Sequence, residues 1–244
     1  RVETAPFYLK PIFKSEAKRL KKYEKTIFNY FEKKIIISEH DREHILHENQ
    51  LEIKVIPNGI SEDYFEDLLC DKKYDLCFTG NMSYPPNVEG AIYLVKQIIP
   101  LLKKPEEVKT LISGKSPALR VKRLQNKNVS ISGWVDDMRF SYAESKIFVA
   151  PMIIGSGLQN KLLEAMAQGI PCITTSLANE ALGAKDKEEI LIVNTPEEFA
   201  EHINQLLESP ERRKVIGEKG QNYVKSNFSW KHWNGELIDL LKKK

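Results

Sequence analysis

Lys161 and Glu164 are the pair of residues in this sequence whose types and spacing best suit ligand chemistry. They follow Gly155 and Gly157, at the point where an apolar run ends and a helical pattern begins. Residues three apart share one face of a helix, so this face would offer a cation for phosphates and a carboxylate for hydroxyls. Backbone amides at the helix start would face the anion, and a bound phosphate would offset the unfavourable placement of a lysine there.

The same residues also fit an ordinary connection between a strand and a helix. The run from Gly155 to Asn160 lacks the third glycine of a dinucleotide-binding fingerprint. The spacing alone therefore leaves both interpretations open. A second candidate, Gly114-Lys115-Ser116, resembles the end of a P-loop, but Lys109 stands where the first P-loop glycine belongs. We expect a strand-end turn there, from which Lys115 can still approach a ligand.

The segment His40-Asp41-Arg42-Glu43-His44, followed by His47, matches an inverted zinc-protease pattern. Ser38 follows an apolar run and can cap the next helix, with Asp41 three residues later. We favour the cap over a metal site, because exposed polar residues then account for the helix surface.

Short apolar runs alternate with helical patterns through most of the chain. Strands are predicted over residues 34–37, 53–56, 74–79, 108–113, 129–132, 147–150, 171–175 and 190–193. Helices are predicted over residues 87–102, 117–125, 138–145, 159–168 and 196–207. This alternation predicts an α/β fold with a doubly wound, Rossmann-like parallel sheet, in which ligands bind at the carboxyl ends of the strands.

Two more loops at predicted strand ends are candidates for the rim of the same cleft. Gly80 and Asn81 begin the first loop, where Asn87 could instead be no more than a helix cap. Gly133-Trp134-Val135 begins the second, and Asp136 or Asp137 is predicted to cap the helix that follows. The Trp134 side chain suits either a place in the core or stacking over a flat ring of a ligand.

The two ends of the chain differ from the middle. Residues 10–33 resemble one long helix carrying eight basic residues and three glutamates. Its basic face fits a solvated surface or, as an alternative, contact with an anionic membrane. The last segment places a set of large apolar side chains on one helix face that must dock on another surface: Trp230, Trp233, Leu237, Leu240 and Leu241.

Composition excludes several classes of protein. Hydrophobic residues make up 41% and charged residues 29% of the 244 residues, which is typical of one or two soluble globular domains. The net charge of +3 argues against a dedicated nucleic-acid binder. The three cysteines contain no CxxC pair, so we expect reduced thiols and a cytoplasmic protein rather than a disulfide framework or a zinc ribbon.

Several of these stretches together resemble a family 4 glycosyltransferase of the GT-B fold, in a bacterial branch tied to exopolysaccharide synthesis. The resemblance spans essentially the whole chain and is carried by residues 19–24, 37–41, 55–59, 79–87, 133–136 and, above all, 151–171. It implies two facing Rossmann-like domains, of which the C-terminal one holds a nucleoside-diphosphate sugar. The acceptor would be a glycan or a lipid-linked molecule, and no metal or other cofactor is implied.

The resemblance also implies roles for single residues. Glu164 matches the glutamate that binds the ribose hydroxyls, and Lys161 matches the cation of the diphosphate cradle, where it would stabilise the leaving group. Asn81 is a second catalytic candidate near the distal phosphate and sugar. The complete set of expected donor-binding residues is Gly80, Gly114, Lys115, Gly133, Trp134, Val135, Ser156, Gly157, Leu158, Gln159, Asn160, Lys161 and Glu164.

The sequence departs from the family pattern at Ser156, where a glutamate that contacts the donor sugar is usual. A basic pair after the glycine of the first loop is also absent. The donor sugar and catalytic competence are therefore open. The main prediction is a retaining glycosyltransferase, and the alternatives are a noncatalytic nucleotide-sugar-binding module or another GT-B enzyme such as a sugar-nucleotide epimerase.

The chain is too short for two complete domains of this kind. We expect residues 1–57 to be a remnant of the acceptor domain, 58–74 a linker, 75–228 the donor-binding domain and 229–244 a helix that crosses back. Such a chain would bind donor but transfer poorly by itself. It would also expose apolar surface or self-associate, and the basic helix could bring it to the inner face of a membrane.

Overall fold

A computed structural model describes residues 7–155 and 157–242 of the chain. By the density of its contacts the chain divides into two compact units. One unit, here the sheet unit, comprises residues 58–234, and the other, here the terminal unit, comprises the described residues before 58 and after 234.

The sheet unit is built around one parallel sheet of six strands with the order β5-β4-β3-β6-β7-β8. The strands, numbered through the whole chain, are β1 Ile35–Ile36, β2 Lys54–Val55, β3 Tyr74–Thr79, β4 Thr110–Ser113, β5 Val129–Gly133, β6 Ser145–Ala150, β7 Cys172–Thr174 and β8 Leu191–Ile192. Strands β1 and β2 pair with each other in the terminal unit. The predicted α/β class with a parallel, doubly wound sheet is confirmed.

Helices connect the strands and cover the sheet. They are α1 Lys10–Ile27, α2 Glu39–Glu43, α3 Pro85–Tyr93, α4 Leu119–Lys122, α5 Met138–Ala143, α6 Asn160–Ala167, α7 Ser176–Asn179, α8 Pro196–Glu208, α9 Pro210–Asn227 and α10 Trp230–Lys242. Short 3-10 turns lie at Phe28–Tyr30, Gln50–Glu52, Glu62–Phe65 and Ile99–Leu101.

The core lies on both faces of the central strands. Leu76, Cys77 and Phe78 are consecutive in β3 and all fully buried, because helices cover the sheet on each side. Cys77 stands beside Leu111 of β4 and Phe148 of β6 in the parallel register. This packing keeps the carboxyl ends of β3, β4 and β6 level at one edge of the sheet.

The helix predicted over 87–102 starts earlier and changes form before its end. Pro85 lies in its first turn, where the missing amide hydrogen costs nothing, so Asn87 is inside the helix rather than its cap. The helix passes into a π turn at Leu94–Ile98 and a 3-10 turn at Ile99–Leu101, because Pro100 cannot donate the hydrogen bond that an α-helix needs.

The long helix predicted over 10–33 ends at Ile27. A 3-10 turn follows, and Phe31 is extended. Phe28 is buried in this turn and stacks on the His47 ring at a centroid distance of 3.7 Å. The helix therefore ends at Ile27, and burial of the Phe28 side chain stabilises the turn that follows it.

The histidine segment forms a capped helix, as the Ser38–Asp41 pattern predicts. The Ser38 hydroxyl accepts a hydrogen bond from the Asp41 amide at 3.0 Å. The His44 ring contacts the His40 carbonyl at 2.7 Å, and His47 packs on Phe28. In residues 7–155 and 157–242, no three His, Cys, Asp or Glu side chains are grouped as metal ligands.

Helix α9 was not predicted from the sequence, because its apolar residues form no clear stripe. Ser209 and Pro210 supply a start signal, and the Ser209 hydroxyl accepts from the Arg212 amide at 3.1 Å. The buried side of α9 contains Gly217 and Gly220, which let it lie close against α6 and the turn after it. A pattern of glycines rather than of large apolar residues marks this interface.

In the terminal unit, α1 buries no residue. Several large apolar side chains in α1 and beside it are exposed, among them Phe7, Leu20, Tyr23 and Phe31. No described helix has both the length and the apolar character that crossing a membrane requires.

We predict that Gly217→Ala destabilises the fold by about 1–3 kcal/mol, because overpacking forces backbone to move. An added Cβ would lie 2.0 Å from the Gly169 carbonyl oxygen. The matched control is Gly235→Ala in α10, where the added Cβ meets no atom within 4 Å. Alanine should be neutral there or stabilise by roughly 0.5–1 kcal/mol. Urea denaturation followed by circular dichroism measures both, and equal midpoints for the two variants would contradict the predicted close packing.

Candidate functional site

A cleft of about 780 Å³ opens at the carboxyl ends of the central strands of the sheet unit. It is lined by the loops after β3, β4 and β5 and by the start of α6. Its lining residues are Asp63, Tyr64, Thr79, Gly80, Asn81, Asn87, Gly114, Lys115, Trp134, Val135, Asp136, Asp137, Met138, Arg139, Leu158, Asn160, Lys161 and Glu164. This edge is where parallel α/β sheets hold their ligands.

The start of α6 faces the cleft with a lysine in its first turn. Gly155 and Gly157 have φ values of 105° and 81°, which let the loop turn sharply from β6 into the helix. Gln159 stands at the N-cap, but its side chain donates to the Gly157 carbonyl at 3.1 Å and makes no capping bond. The helix begins at Asn160, one residue later than the predicted start at Gln159.

The Lys161 ammonium group is held below the rim of the cleft. Its Nζ donates to Asn87 Oδ1 and lies 4.9 Å from the centroid of the Phe78 ring. Asn87 in turn donates through Nδ2 to the Asn81 carbonyl at 3.0 Å, so one amide joins the lysine to the first loop. Burial lowers the pKa of Lys161 to about 8, against a smaller opposing effect of Glu164.

Glu164 lies one turn further along the same face of α6. Its Oε2 accepts a hydrogen bond of 2.6 Å from the hydroxyl of Tyr142, which also contacts Thr79 Oγ1 at 2.8 Å. Burial raises the pKa of the Glu164 carboxyl, while the Tyr142 hydrogen bond and the Lys161 charge act in the opposite direction. This face of α6 therefore presents a cation and a carboxylate, and burial makes the charged form of each less favourable.

Backbone hydrogen bonds tie the three strand-end loops together. The Gly80 amide donates to Ser113, the Gly114 amide to Gly133 and the Met82 amide to Lys115, at distances of 3.0, 3.0 and 2.9 Å. Gly114 has a φ of 137°, and a Cβ there would fall 1.8 Å from the Gly80 carbonyl oxygen. The glycine of the rejected P-loop match thus allows two loops to touch.

The opposite wall of the cleft is built around Arg139. Asp137 caps α5, as predicted, by accepting from the Arg139 amide at 2.9 Å, and its carboxylate also pairs with the Arg139 guanidinium. The same guanidinium donates to the Asp63 carbonyl at 3.0 Å, and Gln168 donates to the Tyr64 carbonyl at 2.6 Å. These bonds hold the 3-10 turn Glu62–Phe65 against the cleft.

Trp134 is exposed rather than part of the core, with 70% of its surface accessible. Its indole Nε1 donates to Asp136 Oδ1 at 3.3 Å. The ring therefore stands at the mouth of the cleft, free to cover a flat group.

The structure brings most of the expected residues into one cleft. Those that line it are Gly80, Asn81, Gly114, Lys115, Trp134, Val135, Leu158, Asn160, Lys161 and Glu164. Gly133, Gly157 and Gln159 belong to the same loops without lining the cleft, and Ser156 lies outside the described residues.

Sequence reasoning missed the residues that support this cleft. Tyr142 and Thr79 looked like core residues of a helix and a strand, and Tyr64 and Arg139 carried no motif. The signal that could have singled out Thr79 is its place at the end of a predicted strand, directly before Gly80. No pattern in the sequence near Tyr142 indicates which residue its buried hydroxyl will hydrogen-bond.

Residues 73–209 match the protein family described as Glycosyl transferases group 1. These residues are more than half of the chain and contain the six-stranded sheet and all of the residues that line the cleft except Asp63 and Tyr64. An uncharacterized 44.6 kDa protein in the cps region of Klebsiella pneumoniae is 26% identical over 92% of this chain and 63% of its own length. An uncharacterized glycosyltransferase of Methanocaldococcus jannaschii is 29% identical over 86% of this chain and 59% of its own. The chain thus spans about three fifths of the length of these curated relatives.

Solved structures share the fold. HepE from Anabaena, in complex with UDP and glucose, superposes with a TM-score of 0.78 at 14% identity, over 92% of this chain and 67% of that one. A glycosyltransferase from Rickettsia africae gives a TM-score of 0.73 at 20% identity, over 93% and 68%. By its family match and by its parallel-sheet architecture, the chain belongs to the group 1 glycosyltransferases of the GT-B fold.

Proposed function

We propose that this chain supplies the donor-binding part of a retaining glycosyltransferase, which moves a sugar from a nucleoside-diphosphate sugar to a glycan or lipid-linked acceptor. The observation that carries the proposal is the pairing of the Lys161 cation and the Glu164 carboxylate on one face of α6, inside the cleft. Such a face matches a ligand with phosphates at one end and sugar hydroxyls at the other. HepE, a protein of the same fold, was crystallised with UDP and with UDP-glucose, which supports the same ligand class here.

Lys161 and the start of α6 form the diphosphate end of the proposed site. Breaking a sugar–diphosphate bond develops negative charge on the leaving diphosphate, and a cation beside the positive end of a helix stabilises that charge. The chain's own contributions to this charge are the Lys161 ammonium group and the backbone amides of Gly157 and Leu158, in the loop directly before α6.

Asn81 is the proposed contact near the distal phosphate and the donor sugar. Its Oδ1 already accepts from the Ser83 amide at 3.1 Å and from the Ser83 hydroxyl at 2.9 Å. These bonds orient the side chain and leave its Nδ2 as the group that can donate to a ligand. Gly80, Gly114 and Lys115 complete this side of the cleft.

The nucleoside occupies the other end of the proposed site. Glu164 accepts hydrogen bonds from the ribose hydroxyls, and the stretch Gly133-Trp134-Val135 lines the base, with the exposed Trp134 ring available to cover it.

The acceptor and the cellular setting are part of the same proposal. The relative from a cps region of Klebsiella pneumoniae supports a role in exopolysaccharide synthesis. A cytoplasmic protein would meet a lipid-linked acceptor at the inner face of the membrane, and the exposed basic helix α1 suits approach to an anionic surface. The exposed apolar side chains of the terminal unit suit burial by further protein, either acceptor-binding or a second copy.

We predict that the chain binds UDP, GDP or ADP, and that Lys161→Met weakens this binding by about tenfold or more, since a charge-assisted hydrogen bond contributes roughly 1.5–3 kcal/mol. Titration calorimetry, or quenching of the tryptophan fluorescence to which Trp134 contributes, measures the affinity. Lys103→Met is the matched control. Lys103 pairs with Glu208 and lies near Asp75 and Lys146 at the amino ends of the strands, so its loss should leave affinity unchanged.

Failure of all three nucleoside diphosphates to bind the wild-type chain would contradict the proposed function. Equal losses in Lys161→Met and Lys103→Met would show that overall charge, and not the cleft, attracts the nucleotide.

We also predict that nucleoside-diphosphate affinity begins to fall as pH rises through about 8, the pKa of Lys161. The ammonium loses its proton above that pH, so the cation that attracts phosphate disappears, and affinity drops by up to roughly tenfold per pH unit. Lys161→Arg keeps its charge at these pH values. Its affinity should therefore be level over the range in which the wild type declines, and a parallel decline in both proteins would exclude Lys161 as the titrating group.

A further inference from the structure

Tyr142 is a fully buried tyrosine of α5 whose hydroxyl bonds two residues that line the cleft. It contacts Glu164 Oε2 at 2.6 Å and Thr79 Oγ1 at 2.8 Å. Its ring packs edge-on against Phe148 of β6, with the ring centroids 5.5 Å apart. The ring is therefore fixed by the core, while its one polar atom sits between the end of β3 and the middle of α6.

Proton counting sets the direction of these two bonds. An ionised carboxylate can only accept, so the single phenolic proton of Tyr142 goes to Glu164. The oxygen of Tyr142 is then the acceptor for the Thr79 hydroxyl. The result is a relay of hydrogen bonds, Thr79 to Tyr142 to Glu164, that satisfies every one of its buried hydroxyl groups.

We propose that Tyr142 is a positioning residue that holds the Glu164 carboxylate ionised and turned toward the ribose hydroxyls of the donor nucleotide. The inference rests on the proposed function, which makes Glu164 the ribose ligand. The 2.6 Å bond occupies one lone pair of Oε2 and restricts rotation of the carboxylate. Because Glu164 lines the cleft, its remaining lone pairs are available to a ligand there.

The charges around Glu164 show why this bond matters. Lys161 faces it from the same helix, Tyr142 from α5 and Tyr64 from the 3-10 turn Glu62–Phe65. Behind Tyr64 stand Asp63, Asp137 and Arg139, which largely pair with one another. Burial favours the neutral acid at Glu164, so Lys161 and the Tyr142 donor are the groups that keep it charged.

The test compares Tyr142→Phe with Glu164→Gln in binding UDP and 2′,3′-dideoxy-UDP, or the GDP or ADP pair if that base binds more tightly. Tyr142→Phe should weaken UDP binding by about tenfold, the scale of a hydrogen bond to a charged group. It should leave binding of the dideoxy nucleotide unchanged, because that ligand has no ribose hydroxyls for Glu164 to accept from. In the double variant, Tyr142→Phe should add little to the loss caused by Glu164→Gln.

A pH profile separates positioning from general support of the fold. Without the Tyr142 donor, the pKa of Glu164 rises, so UDP affinity should fall at a higher pH on acidification than in the wild type. Ser141→Ala is the matched control. It removes a buried hydroxyl from the neighbouring residue of α5, where Ser141 bonds Ser113 at 2.7 Å and does not contact Glu164. That variant should lose stability without a shift in the pH profile.

Equal weakening of UDP and dideoxy-UDP binding by Tyr142→Phe, or the same pH profile in Tyr142→Phe and Ser141→Ala, would overturn the inference. If UDP binds the wild type and only Glu164→Gln weakens it, the inference fails while the proposed function stands. If none of UDP, GDP and ADP binds the wild type, the proposed function fails and this inference with it.

Discussion

The site depends on keeping a cation and a carboxylate charged in a partly dry cleft. Burial favours the neutral forms of Lys161 and Glu164, and the opposite charge of each residue favours the charged form of the other. Each residue also has one hydrogen bond: Lys161 donates to Asn87, and Glu164 accepts from Tyr142. A group that carries such a desolvation cost gains most from a ligand of opposite or complementary character. The same constraint explains why a phosphate-bearing, hydroxyl-bearing ligand suits this face of α6 and why its supporting residues are buried polar groups.

The backbone provides the shape in which these charges act. Bonds between the loops after β3, β4 and β5 align three chain segments at one edge of the sheet, and the close approach of Gly114 to Gly80 leaves no room for a side chain between them. Arg139 and Gln168 fasten the turn Glu62–Phe65 on the far wall. Main-chain bonds thus shape one side of the cleft, and two side chains hold its far wall in place.

Prediction from the sequence succeeded where the determining forces were local. Lys161 and Glu164 could be paired because helical spacing puts them on one face. The helix cap could be narrowed to Asp136 or Asp137, of which Asp137 is the cap, because a capping side chain bonds an amide only two or three residues away. It failed at α9, whose contact with α6 depends on Gly217 meeting a backbone oxygen far along the chain. It also failed at Asn87, read as a possible cap, since Pro85 moved the helix start and turned that amide toward Lys161.

By itself, the sequence determined the α/β class, most of the strands, and the loops and helix face that are proposed to bind a ligand, because each follows from hydrophobic period, turn residues and spacing. Only the tertiary structure decided which of those loops meet, and which buried hydroxyl and amide support the two charged residues. The reason is that Tyr142 and Glu164, or Asn87 and Lys161, become neighbours through the order of strands in the sheet. That order is set by packing across the whole core, and no short stretch of sequence contains both members of either pair.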